Sequence, residues 1–580
     1  MIRTGPERFD KARDLGMLGN CGRQPARAAP GRMLRTAALL GCLTLVSRLL
    51  GLARDMGMAW LLGGGVAADS LVAAMRLPHV LRRLLGEGSL SMTLTTALVR
   101  RAHGPAEKNG AGQCVADGTA AQHGRMLRPL AAALALRLGL TLALLTLLGL
   151  LAAPLLAALL APGFSGPEAA RVAELLRICL PYLLTAGMAA LGMAFLHSMD
   201  VFWLPALSPA LFNLTMLLFT VAAALGGWPP AQTLALGMLC GGLVQWLAQW
   251  LALRRLLPEA APAANECGAD AVKAEGKSMG RAAWRCLARV PAGLLGAAAP
   301  QLAMLAAMGM ASGLGQGQVA ALYYAERLLE LPLGLVGICL GVASLPSLSR
   351  LAAERNFSAF GDQLSAVLRW TTLFSLPAAM GLWAVGPDLV DALLRHGAFD
   401  GRAARETGLA LWAYLPGLPA FALNRSLLAG CNALGATRRA AVSAGWAVAA
   451  TLAAGAVLGH SLPAACSAMG PALAVSLGLW LQACLLWSGL CRALLDCGQP
   501  ARAIAWRALF QQALAALAAG LAARAVPTAW AVMVPGGWRG GVWSALALAI
   551  AAGLTAWLLC LAALGNKDLA ALTGRLREMK

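Results

Sequence analysis

Apolar positions along this chain fall in long unbroken runs. They show neither the alternation of half-buried strands nor the narrow stripe of a soluble amphipathic helix. Runs of about 20 residues, the length that crosses a bilayer's hydrocarbon core, recur near 34–62, 68–99, 129–160, 174–196, 203–225 and 231–253. A polar stretch, 254–284, follows, and then runs near 287–311, 318–346, 364–386, 407–431, 439–459, 468–491, 503–525 and 541–564. The pattern predicts an all-α polytopic membrane protein with about fourteen transmembrane helices. Composition agrees: 59% of the residues are hydrophobic and 13% charged, against about 25% charged in a globular chain, and the mean hydropathy is +0.68. Only 4 tyrosines are present, too few for the aromatic girdles of an outer-membrane barrel.

The polar stretches divide the chain. Residues 1–33 are basic and rich in Gly and Pro, with no apolar core, and read as a disordered cytoplasmic tail rather than a secretory signal. Translation from Met33 is an open alternative. Residues 34–253 hold spans 1–6, 254–284 form a cytoplasmic linker, 285–495 hold spans 7–12, and 496–580 hold spans 13–14 and a tail. The net charge of +21 is explained by basic loops on one side of a membrane, without nucleic acid as a partner. Arg100, Arg101, Lys108, Arg125 and Arg128, the linker's Lys and Arg, Arg350, Arg355, Arg438, Arg439, Arg492, Arg502 and the C-terminal Lys and Arg all fall in alternate loops. The opposite loops at 63–67, 226–230, 312–317 and 460–467 contain no Lys or Arg, whereas 161–177, 387–406 and 526–541 are exceptions. This bias predicts an even number of spans with both termini in the cytoplasm.

Charges inside the runs carry the functional signal, because an ionised side chain in a bilayer must face a cavity, a partner or the interface. The first two spans hold Arg48, Arg54, Asp55, Asp69, Arg76, Arg82, Arg83 and Glu87, and the eighth holds Glu326, Arg327 and Glu330. Helical spacing makes Arg327 and Glu330 neighbours. Arg82 and Arg83 are near enough to the span's end to snorkel to the interface. Arg48 lies about 20 Å into its span at 1.5 Å per residue, and about ten residues precede Arg327 in its span, so both imply a hydrated cavity. Arginines lining such a cavity suit an anionic substrate, and their planar fork suits phosphate.

Other chemistry finds no support. The sequence has no zinc-protease, P-loop or nucleophile-elbow motif, and its 14 cysteines and 6 histidines are scattered without metal-ligand spacing. No catalytic residue, metal or cofactor is expected. Uphill work would then be coupled to the membrane potential, worth about 2.3 kcal/mol per charge per 100 mV, or to an ion gradient.

Several blocks together resemble a known family. SRLLGLARD (47–55), AADS (67–70), RLPHVLRRLLGEGSLS (76–91), APGF (161–164), SPALFN (208–213), YYAERLLELPLGLVGICLG (323–341), LPSLS (345–349) and RHGAFD (395–400) resemble the signature of the MurJ (MviN) lipid II flippases. The resemblance implies a fold of the multidrug/oligosaccharidyl-lipid/polysaccharide exporter superfamily, with two lobes around a central cationic cavity. It implies a substrate, lipid II, which is an undecaprenyl-pyrophosphate-linked peptidoglycan precursor, moved from the inner to the outer leaflet of the bacterial cytoplasmic membrane. The family's cavity residues fall on Arg48, Arg54, Asp69, Arg82, Arg83 and Arg327, with Ser47, Asp55, Arg76, Glu87, Glu326 and Glu330 in support. Spans 13 and 14 are implied to form a groove for the lipid tail, and membrane lipids and the cell wall synthesis machinery are the implied partners. Two departures stand out: Glu326 replaces the family's usual Asp, and Arg76 and His79 replace Lys and Asn. His79 adds a pH-sensitive group or a neutral packing group, and both readings stay open.

On this view Arg48 and Arg327 share the pyrophosphate. Two rivals remain. Another exporter of the superfamily, a drug/cation antiporter or polysaccharide-lipid flippase, would lack the SRLLGLARD and LLRRLLGEG blocks. An integral-membrane enzyme acting on polyprenyl-linked sugars would need an acidic residue in a sizeable outer loop, for which Asp388, Asp391 and Asp400 are the available groups.

Overall fold

The computed structural model describes residues 30–83, 120–199, 201–256, 290–337, 343–463, 466–498, 506–533, 539–566 and 568–569. Among these residues the regular structure is helical, and no strand occurs. In chain order the helices are α1 (Pro30–Leu62), α2 (Val66–Arg82), α3 (Ala120–Leu151), α4 (Ala153–Leu160), α5 (Pro167–Cys179), α6 (Tyr182–Ser198), α7 (Trp203–Gly226), α8 (Pro230–Leu256) and α9 (Val290–Ala311). They continue with α10 (Gln318–Gly337), α11 (Ala343–Ala353), α12 (Phe357–Leu394), α13 (Gly401–Tyr414), α14 (Leu418–Ala433), α15 (Thr437–Ser461), α16 (Met469–Asp496), α17 (Trp506–Met533) and α18 (Arg539–Ala563). The predicted tail up to residue 29, Glu87, most of the 254–284 linker and residues 570–580 lie outside the described residues.

Nine helical segments among the described residues are long and apolar enough to cross a membrane, from Ala131–Leu151 to Gly541–Ala563. The protein is therefore a multi-pass α-helical membrane protein. The runs predicted at 34–62, 68–99, 287–311, 318–346 and 407–431 are carried by α1, α2, α9, α10 and the α13–α14 pair, which are not among the nine. Charged side chains interrupt α1 and α10, α2 has 17 residues, and a 3-10 turn at Leu415–Gly417 separates α13 from α14. Fourteen thus remains an expectation from the sequence. The helix ends follow ordinary rules. Asn356 caps α12 by accepting the Ala359 N–H at 3.2 Å, Asp400 caps α13 through the Ala403 N–H at 2.8 Å, and Gly227, at φ 62°, ends α7 in the left-handed region.

The chain forms two compact units. Among the described residues, the first comprises residues up to Gly57, Ala74–Leu156 and Val172–Ala297; the second comprises Met58–Ala73, Ala157–Arg171 and Ala298 onward. This division does not coincide with the linker at 254–284, because segments of α1, α2, α4 and α5 pack with the second unit.

In the first unit α3 sets Leu134, Leu138 and Leu142, spaced one turn apart, against Leu183, Leu191 and Phe195 of α6. The opposite face of α3 exposes Leu136, Leu140, Leu144 and Leu147, as a lipid-facing surface does. Since lipid tails are as apolar as leucine, helix association in a bilayer rests on close packing. Glycines on α8 supply it: a Cβ at Gly237 would lie 2.7 Å from Phe219, and one at Gly241 2.8 Å from the Phe212 ring.

In the second unit the α17–α18 hairpin packs on α12 through Leu373, Ala515, Ala519, Trp557 and Leu561. A polar tie reinforces it: the Thr372 hydroxyl donates to Gln512 Oε1 at 2.7 Å. Gln512 Nε2 donates to Asp568 at 3.3 Å, and Asp568 pairs with Arg369 at 3.3 Å. A second cluster, Leu348, Phe360, Leu364, Leu427, Leu486 and Leu490, joins α11, α12, α14 and α16. The α17–α18 hairpin is thus packed against α12 within the second unit.

Candidate functional site

The first unit gathers charge around α1 and the later turns of α2. Arg54 is buried, 7% exposed, within the predominantly apolar α1. Its guanidinium donates to Asp55 Oδ1 at 2.7 and 3.1 Å and to Asn213 Oδ1 on α7 at 3.0 Å. Asn213 in turn donates from Nδ2 to the Ser47 carbonyl at 3.0 Å, one residue before Arg48, which is partly exposed. A side chain on α7 thus ties the backbone beside Arg48 to the guanidinium of Arg54. The close approach of α1 and α7 needs glycine: a Cβ at Gly51 would come within 3.2 Å of the Asn213 amide, and one at Gly57 within 3.1 Å of Thr220. Arg76 is buried, whereas Arg82 and Arg83 at the end of α2 are partly exposed. His79 lies buried with its ring edge-on to Tyr182 at 6.5 Å and Phe212 at 6.3 Å.

Asp69, predicted alongside these arginines, belongs to the second unit. Its carboxylate is 1% exposed and accepts the N–H of Gly317 at 2.6 Å and that of Ala320 at 2.7 Å. These are orphan donors at the start of α10. A carboxylate there satisfies them and meets the positive end of the helix dipole. Asp69 therefore holds protein backbone in this conformation.

Seven residues further along α10, Arg327 donates to Glu330 at 2.7 Å and lies over the Tyr323 ring at 4.8 Å. The two partners are 15% and 29% exposed, so a mostly buried, partly accessible ion pair sits in mid-helix. Glu326, one residue before Arg327, is buried at 3% exposure.

Three residues went unremarked in the sequence. Asn213 lies inside SPALFN, but nothing local shows that its amide reaches Arg54, 159 residues away. Arg425, on α14, is exposed with its guanidinium 5.6 Å from the Phe421 ring; a cation inside a predicted span was the available signal. Arg137 on α3 carried the same signal. Among the described residues no grouping of His, Cys, Asp and Glu is placed to hold a metal.

A family profile described as lipid II flippase MurJ matches residues 58–535. The chain belongs to the MurJ family. A probable lipid II flippase MurJ from Vibrio cholerae is 30% identical over 409 residues, covering 69% of this chain and 72% of the relative. The lipid II flippase MurJ of Burkholderia cenocepacia is 28% identical over 400 residues, 69% and 73% of the two chains. Among solved structures, a lipid II flippase MurJ in an inward closed conformation superposes with a TM-score of 0.67 at 19% identity, covering 91% of this chain and 99% of that one. An inward-facing MATE multidrug transporter of the MOP superfamily superposes at 0.58 and 14% identity, covering 79% and 99%. Both likenesses show the fold that this chain shares with those structures. The family match begins at residue 58, downstream of Ser47, Arg48, Arg54 and Asp55, so these four rest on their own geometry.

Proposed function

We propose that this protein is a lipid II flippase, moving undecaprenyl-pyrophosphate-linked peptidoglycan precursor from the inner to the outer leaflet of the bacterial cytoplasmic membrane by alternating access. The observation that carries the reading is the Arg327–Glu330 pair, together with the family to which the chain belongs. A guanidinium held by a carboxylate 2.7 Å away, in the middle of a membrane helix and still partly open, is prepared for an anion. An arriving diphosphate offers the fork a doubly charged, bidentate partner in place of Glu330. Within the first unit, Arg48, Arg54, Arg76, Arg82 and Arg83 supply positive charge suited to an anionic head group, with Ser47 and Asp55 beside them. The polyprenyl tail stays in lipid, alongside α17 and α18.

The chemistry is transport, without a catalytic residue, metal or cofactor, and the work comes from the membrane potential or an ion gradient. Both termini lie in the cytoplasm, as the loop charges predict. The partners are lipid II, membrane lipids and the cell wall synthesis machinery.

The test is depletion of the native protein in its host, with replacement by Arg327→Ala or Arg327→Lys at matched membrane abundance. Outer-leaflet lipid II is expected to vanish with Arg327→Ala while total lipid II rises. Arg327→Lys is expected to restore it only in part, because an ammonium lacks the fork. Normal outer-leaflet lipid II with Arg327→Ala would overturn the assignment of the head-group site.

A further inference from the structure

RHGAFD has no role in the reading above, yet in the structure it is bound to the Gly63–Gly65 turn that leads into α2 and Asp69. Everything that follows lies within the second unit. The Ala398 N–H donates to the Trp60 carbonyl at 2.9 Å. Gly397, at φ 60°, lies so close to Trp60 that a Cβ would overlap its backbone, and Gly63, at φ 67°, lies equally close to the Ala398 carbonyl. Gly64 abuts Ala403, and Gly317 abuts the Gly64 carbonyl, each closer than any side chain permits. Phe399 is buried edge-on to Tyr324 of α10 at 5.3 Å, and Asp400 begins α13. Six residues on, Glu406 is buried and pairs with Arg402 at 2.9 Å, while Arg402 reaches the Gln316 carbonyl at 3.5 Å. The turn that Asp69 caps is thus held from a second side.

The geometry points to residues 396–406 as a backbone clamp that closes one end of the second unit. The loop grips the Gly63–Gly65 turn, and Glu406 with Arg402 steadies the 313–317 turn, so that the Gly317 and Ala320 N–H groups stay aimed at Asp69. Gly64, Gly397 and Glu406 are positioning residues for the closed state. The physical cause is contact distance. Backbone meets backbone here because glycine has no Cβ, and a small displacement breaks several hydrogen bonds together. Such a contact is either fully made or lost, which is the behaviour a transport cycle needs at an end that must open and reseal. That last step rests on the flippase reading; the clamp itself does not.

Gly64 and Gly65 provide an internal control. They are neighbours in one turn, but a Cβ at Gly64 strikes Ala403, whereas one at Gly65 meets nothing within 4 Å. Full-length Gly64→Ala, Gly65→Ala and Glu406→Gln proteins, purified in lipid nanodiscs, are compared by hydrogen–deuterium exchange of peptides covering 313–322 and 396–403. Gly64→Ala is expected to exchange about tenfold faster in both segments, the response to roughly 1.4 kcal/mol of local destabilisation. Glu406→Gln is expected to accelerate 313–322, and Gly65→Ala to match the native protein. Peptides from α15 and α16 report whether each variant is folded. If Gly64→Ala is misfolded, Glu406→Gln decides the matter. Equal exchange in Gly64→Ala and Gly65→Ala, or native exchange in a folded Glu406→Gln, overturns the clamp. Leaflet distribution of lipid II is measured in the same strains: faster exchange in a protein that leaves lipid II distribution untouched upholds the clamp and counts against the flippase reading.

Discussion

Replacing Asn213 with leucine tests whether α7 controls the charge on α1. The substitution keeps the side chain's branching and heavy-atom count, replaces the amide by two bulkier methyls, and removes both of its hydrogen bonds. One is a charge-assisted bond from Arg54 at 3.0 Å, worth about 1.5–3 kcal/mol. The other runs to the Ser47 carbonyl at 3.0 Å. That carbonyl retains a helical partner, so its loss costs about 0.5–1.5 kcal/mol. Together they amount to about 2–4.5 kcal/mol, most of it the cost of leaving a buried guanidinium short of an acceptor. Asn213→Asp is the informative companion. It keeps an acceptor for Arg54 but adds a negative charge that competes with an anionic substrate, and it turns the donor toward Ser47 into an acceptor. The assay is a pair of measurements on full-length protein: thermal unfolding in detergent, and growth on depletion of the native copy at matched expression. Asn213→Leu is expected to melt several degrees lower and to grow poorly. Asn213→Asp is expected to recover stability in part and growth hardly at all. If Asn213→Leu melts and grows as the native protein does, the link between Asn213 and Arg54 has no energetic content and the argument fails. If Asn213→Asp grows normally, Arg54 is not a ligand for the substrate's negative charge.

Three further outcomes follow from the geometry. Asp69→Asn keeps one acceptor for the two N–H groups at the start of α10 and loses the charge facing the helix dipole; a loss of about 1–3 kcal/mol should appear as a lower melting temperature, and an unchanged one would refute the capping role. Gln512→Leu breaks a tie joining α12, α17 and the segment after α18; because the Gln512 side chain is fully buried, unfolding should move down by the equivalent of about 2–4 kcal/mol, with faster proteolysis of the C-terminal hairpin, and native resistance to protease would count against the tie. Arg425→Ala removes an exposed cation from α14, so melting is expected to stay native within about 0.5 kcal/mol while growth on depletion falls; a fall in melting temperature instead would show that Arg425 serves structure.

Much of the architecture was legible in advance. Run length alone placed α3, α5–α6, α7, α8, α12 and α15–α18 in a membrane, since the hydrocarbon thickness leaves little choice of length. Charge inside a run marked Arg54, Asp69 and Arg327, because such residues are too costly to be incidental. Their partners were a different matter. Arg327 and Glu330 are one helical turn apart, so helical period predicted that pair. Asp69 and Gly317 are 248 residues apart, and no periodicity connects them. RHGAFD was visible as a block but not as a clamp, because a backbone–backbone contact leaves no trace beyond the glycines that permit it.

The residues by themselves determined that this chain is helical, lives in a bilayer and carries arginines where an anionic head group would need them, because hydrophobicity and charge are properties each segment carries wherever it packs. Tertiary structure alone decided what each charge does. It turned Arg54 toward Asn213, gave Asp69 the start of α10 to hold, left Arg327 partly open beside Glu330, and joined parts of α1, α2, α4 and α5 to the second compact unit. Those outcomes depend on distances between segments far apart in the chain, and such distances are set by which helix faces fit closely enough to pack.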